Sequence, residues 1–70
     1  MHQNNLIETI KQRREALQVT QELLAELSGV SLRTLKQFES GKGNPTLETL
    51  GKLAHALGLE LVLQVKKNFK

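Results

Sequence analysis

Cysteine is absent from the 70 residues, and so is aspartate; all seven acidic residues are glutamate. Without cysteine there is no disulfide or thiolate-metal staple, which excludes zinc fingers, dithiol redox motifs and the disulfide-rich secreted class. Long apolar runs are also missing. Stretches such as Leu61-Val62-Leu63 are too short to span a bilayer, and Met1 opens a polar stretch instead of a signal peptide, so neither membrane insertion nor export is expected. There is no internal repeat and no low-complexity tract. What is present is the balance of an ordinary globular chain, 39% hydrophobic and 24% charged. Ten Lys and Arg give a formal charge of +3, a weak pointer to nucleic acid. A domain this small buries only about 60% of the surface its unfolded chain exposes, so the core is thin and association is an expected source of extra stability.

Apolar periodicity divides the chain into elements. Leu6, Ile7, Ile10 and Leu17 recur at helical spacing, which predicts a helix from Asn5 to Leu17 with Asn5 as N-cap and Glu8 in the first turn. Arg14 falls on the same stripe; either it points inward and needs an acid, or its long stem carries the charge out to solvent. Thr20 is an N-cap residue for Gln21 to Ser28, which Gly29 stops. Only Gly29 and Val30 separate this from Ser31, a further N-cap, and from Leu32 to Glu39, where Leu35 and Phe38 lie one turn apart. Two short helices joined so tightly cannot lie side by side and must cross steeply, as in a helix-turn-helix. The turn-rich run from Ser40 to Pro45 leads to Thr46 and a fourth helix whose apolar positions Leu47, Leu50, Leu53, Ala54 and Leu57 run at three and four spacing, ended by Gly58.

After Gly58 the period changes to two. Leu59, Leu61, Leu63 and Val65 alternate with Glu60, Val62, Gln64 and Lys66, the pattern of a strand running to about Lys67. No second strand pattern exists to pair with it. The expected remedy is the same segment of another copy, in an antiparallel two-fold ribbon that buries Leu61, Leu63 and Val65.

Residues Gln21 to Ser40 resemble the helix-turn-helix of the Cro and phage-repressor type, the XRE family: glutamine opening the first helix, small Ala25 where the helices touch, Gly29 in the turn, then apolar Val30, Leu35 and Phe38. The likeness continues through Glu39-Ser40-Gly41-Lys42 and Asn44-Pro45-Thr46-Leu47 into the fourth helix, covering roughly residues 6 to 58. The resemblance implies a mainly all-α, lambda-repressor-like domain of four to five helices. Residues 1–58 would form the DNA-binding core and 59–67 the dimerisation strand of a single domain. It implies an ion pair between Arg14 and Glu39. It also implies that the second helix of the motif enters the major groove of double-stranded DNA. Leu32, Arg33, Lys36 and Gln37 then face outward with Thr34 at their flank; Arg33 suits guanine, Gln37 adenine or a phosphate, and Leu32 either a thymine methyl or plain solvent. Thr20, Gln21, Ser31, Ser40, Lys42 and Asn44 would lie along the DNA backbone, with capping as the first duty of Thr20 and Ser31.

The run Leu57-Gly58-Leu59-Glu60-Leu61 looks like the HipB-type branch, which implies an autoregulating repressor on a palindromic operator and admits a HipA-like toxin as partner. The location implied is cytoplasmic, on the bacterial nucleoid when bound. The rival reading is a protein-interaction module that uses the motif as a scaffold and docks its strand on another protein. Gly41-Lys42-Gly43 lacks the spacing of a phosphate-binding loop, and His2 and His55 have no companions for a metal. The hydroxyl groups sit at helix ends without a histidine base. Neither enzyme activity nor any cofactor is therefore expected.

Overall fold

The computed structural model describes residues 3–63. Four helices follow one another: α1 (Gln3–Ala16), α2 (Gln21–Ser28), α3 (Leu32–Glu39) and α4 (Leu47–Ala56). α2 packs against both α3 and α4, and α1 against α3. Ile7, Ile10, Leu24, Val30, Leu35, Phe38, Leu53 and Leu57 form one core, with Val19, Ala25, Leu50, Ala56 and Leu59 packed around it. Phe38, Leu35 and Leu24 are wholly enclosed, and each such side chain contributes about 1.5–3 kcal/mol by leaving water.

Local chemistry explains where the helices start. Thr20, Ser31 and Thr46 are extended, and each accepts a hydrogen bond from the backbone N–H three residues on, at Leu23, Thr34 and Thr49. Three of the helices also share a way of stopping. At the end of α4, Gly58 is left-handed and donates to the His55 carbonyl while Leu59 donates to Ala54 O (2.8 Å), a Schellman closure. α3 closes identically, with Gly41 at φ +82°, its N–H on Phe38 O and the Lys42 N–H on Gln37 O (2.9 Å). α1 does so as well, but the left-handed seat is held by Gln18, at φ +59°, and the Val19 N–H reaches Arg14 O (3.0 Å).

Several expectations need correction. α1 already includes Gln3, so Asn5 is inside the helix and caps nothing; its carbonyl accepts from Thr9 Oγ1, and Glu8 lies beyond the first turn. The helix ends at Ala16, one residue before Leu17. The Gln18 turn swings Leu17 off the apolar stripe, leaving it 45% exposed. The helices described number four, the lower figure expected. Leu59 to Leu63 carry no strand pairing among the described residues, since a lone segment has no backbone partner; Val65 and the remainder to Lys67 lie outside them. One glycine has no local rationale: Gly51, in the interior of α4, costs about 1 kcal/mol relative to alanine, and a Cβ there would meet nothing within 4 Å. Among the described residues no helix is long and apolar enough to cross a membrane.

Candidate nucleic-acid interface

α3 is eight residues long and buries only Leu35 and Phe38. With that face fixed on the core, the 3.6-residue period turns Arg33, Lys36 and Gln37 fully outward and leaves Leu32 and Thr34 half-buried. Arg33 and Gln37, four apart, lie one above the other. Arg33, Lys36 and Lys42 take part in no ion pair among the described residues, so this flank carries uncompensated positive charge.

The polar residues around α3 are positioned by backbone closures. Ser31 Oγ accepts from the Thr34 N–H (3.1 Å) and donates to Thr34 Oγ1 (2.9 Å). Ser40 Oγ donates to Gln37 O (2.9 Å), which also receives the Lys42 N–H. The Schellman closure therefore ties the Cα of Lys42 to the end of α3 and leaves its ammonium free in solvent. Thr34, Gln37, Lys42 and Asn44 come together in an open cleft of about 200 Å³, floored by Phe38 and Pro45 and bordered by Thr46 at the start of α4. Arg33 and Lys36 lie outside that cleft, on the exposed side of the same helix. Thr20 is exposed beyond its capping bond to Leu23, at the head of α2.

Behind α3 lies a polar cluster. Arg14 donates from Nε to Glu39 Oε2 (2.7 Å) and from Nη2 to Oε1 (3.0 Å), a two-pronged pair with side chains only 11% and 4% exposed. Its Nη1 donates to Val19 O (2.8 Å), and Gln21 Nε2 donates to Glu39 Oε1 (3.0 Å). The hydrogen bond with the Glu39 carboxylate raises the Arg14 guanidinium above its ordinary value, against a smaller opposing effect of burial. One carboxylate thus joins α1, α2 and α3. Sequence reasoning missed the Gln21 contact: a glutamine opening a helix gives no sign of which neighbour its amide will reach. It also missed Arg13, whose Nε donates to Leu57 O (2.9 Å) and ties α1 to the end of α4.

The helix-turn-helix family model matches residues 10–64, which span α2, the Gly29 turn and α3 together with the second half of α1 and all of α4. The chain belongs to this family, in its Cro and phage-repressor branch. Two relatives accompany the match. This helix-turn-helix chain is 41% identical over 54 residues to the cryptic phage CTXphi transcriptional repressor RstR of Vibrio cholerae, an overlap covering 77% of this chain and 48% of that protein. It is likewise 41% identical over 51 residues to an uncharacterized HTH-type transcriptional regulator of Methanothermobacter thermautotrophicus, covering 73% of this chain and 74% of that one. The helix-turn-helix chain therefore spans about half the length of the Vibrio repressor.

Proposed function

We propose that this chain is a sequence-specific transcriptional repressor of double-stranded DNA that places α3 in the major groove. The observation that carries the reading is α3 itself, held on the core by Leu35 and Phe38 while the side chains of Arg33, Lys36 and Gln37 project with no partner among the described residues. Arg33 reads guanine and Gln37 adenine or a phosphate. Leu32, half-buried in the first turn, offers a methyl contact to thymine. Lys42, Asn44 and Thr34 in the cleft beside Gln37, with Ser31, Ser40, Thr20 and Gln21, hold the sugar-phosphate backbone. Gln21 has a second amide hydrogen left after its bond to Glu39. Repression works by occupancy of the promoter and needs no cofactor.

The remaining parts of the reading rest on the segment after Gly58. Two copies pair their strands through Leu61, Leu63 and Val65, which sets two recognition helices one DNA turn apart, roughly 34 Å, on a palindromic operator of the chain's own operon. The HipB-like branch, with a toxin as partner and a cytoplasmic location, is supported by the run from Leu57 to Leu61 alone.

Duplex binding followed over a salt series, on matched and mismatched operators selected from random DNA, tests the groove assignment. Arg33→Ala should cost about 1–3 kcal/mol at one base position. Lys42→Ala should weaken every sequence alike and lower the salt slope by about one. Identical behaviour of the two variants, or no salt-dependent binding to any duplex, would overturn it.

A further inference from the structure

Leu32 is apolar in a place that the fold does not use for packing. It opens α3 and is half-buried. Leu35 and Phe38 anchor that helix, whereas Leu32 belongs neither to the core nor to the apolar residues packed around it, among those described. Helical phase puts Leu32 and Lys36 on one flank of α3 and Thr34 and Gln37 on the other, where they line the cleft. Arg33 stands between the two flanks and is fully exposed. The hydroxyl groups beside Leu32 are already engaged. Ser31 Oγ accepts from the Thr34 N–H (3.1 Å) and gives its own proton to Thr34 Oγ1 (2.9 Å), which leaves the first turn one hydroxyl proton to offer, on the Thr34 side. At the head of the Leu32 flank, α3 therefore presents hydrocarbon. The apolar group that a base edge shows in the major groove is the C5 methyl of a pyrimidine, which thymine always carries and cytosine carries only after methylation.

We infer that Leu32 makes α3 a detector of C5-methylated pyrimidines, so that 5-methylcytosine is favoured over cytosine at one operator position just as thymine is favoured over uracil. The inference rests on the groove assignment proposed above and names what one side chain of that surface recognises. Leu32 and Arg33 are separated by about 1.5 Å along the helix axis and about 100° around it, so they address neighbouring base pairs. The methylated pyrimidine then lies beside the guanine that Arg33 takes. Leucine has no donor or acceptor with which to tell the O4 of thymine from the N4 amino group of cytosine, so at this contact the methyl alone counts. Covering one methyl is worth a factor of about three to five in affinity. Methylation of an operator cytosine at that position therefore strengthens binding, where a hydrogen-bonding residue in the same seat would be blind to it.

Duplexes selected from random DNA by the full chain supply the probe, and Arg33→Ala marks the guanine. Fluorescence anisotropy then compares thymine with uracil, and 5-methylcytosine with cytosine, at the positions next to that guanine. Each comparison removes one methyl and leaves every hydrogen-bonding group of the base pair in place. At one position both removals should weaken binding by the same factor, about three- to fivefold. In Leu32→Ala both ratios should fall close to one, and in Leu32→Met they should persist; because each ratio is taken on a single protein, any change in folding stability cancels. A parent chain indifferent to both methyls overturns the inference and leaves the groove assignment standing. Ratios that persist in Leu32→Ala overturn it as well, since another side chain then reads the methyl, and so does a response to thymine without a matching response to 5-methylcytosine. Failure to bind any duplex overturns the inference together with the repressor reading.

Discussion

Replacing Arg14 with methionine removes three hydrogen bonds at once, two to Glu39 and one to Val19 O, while keeping most of the side-chain volume. Exposed ion pairs are worth about 0.2–1 kcal/mol, whereas breaking a buried pair costs about 3–5, because the remaining charge is left without compensation. Here the Glu39 side chain is 4% exposed and retains only the Gln21 amide, which places the loss near the buried limit, at about 3 kcal/mol. For a domain of this size that is a fall in Tm of roughly 12–24 °C. Thermal unfolding by circular dichroism measures it, and a double-mutant cycle with Glu39→Met isolates the pair. The double variant should be less unstable than the sum of the singles by about 1.5–3 kcal/mol, since it leaves no charge behind. The arginine's proton does not alter this near neutrality. Its folded-state value is raised, so its contribution is complete below the unfolded value and is lost only as pH rises through the higher folded one, far into the alkaline range. Single variants each costing under about 1 kcal/mol and adding without coupling would refute the reasoning and make the cluster a solvated surface pair.

Exchanges at the left-handed seats should move in opposite directions. Gln18→Gly relieves a positive φ and should raise stability by about 0.5–1 kcal/mol, whereas Gly29→Ala, at φ +79° with open space for its Cβ, should lower it by about 1–2 kcal/mol through backbone strain alone; parallel urea titrations compare them. Ser31→Ala removes the α3 cap and should cost about 1 kcal/mol, with Ser31→Asp recovering most of it in the same titration.

The parts of the fold legible in the sequence were those set by local chemistry. Thr20, Ser31 and Thr46 announce helix starts because their hydroxyls are short enough to reach the N–H three residues on, and Gly29 and Gly58 announce stops because a left-handed φ is free for glycine. Where the chain departs from those preferences the reading failed. Gln18 occupies a left-handed seat with no compositional sign, held by the closing bonds around it, so α1 ends before the apolar stripe does and Leu17 is lost to solvent. Asn5 has the chemistry of a cap but sits inside a helix that had already begun. Around α3, the outward face follows from phase alone once Leu35 and Phe38 are buried. The contacts of Gln21 and Arg13 do not, because long side chains choose partners that only the folded arrangement brings near.

α3 is short, and eight residues in isolation would spend nearly all their time unwound. α3 is secured at its first turn by Ser31, at its last by the Gly41 and Lys42 closure, and from behind by the carboxylate that Arg14 and Gln21 share. Its ordering entropy is met during folding, before any ligand arrives. Under the proposed groove assignment, a surface prepared in this way would lose side-chain rotamers on binding, those of Arg33, Lys36, Gln37 and Lys42 foremost, so its discrimination between bases would fall to side chains and not to the backbone that carries them.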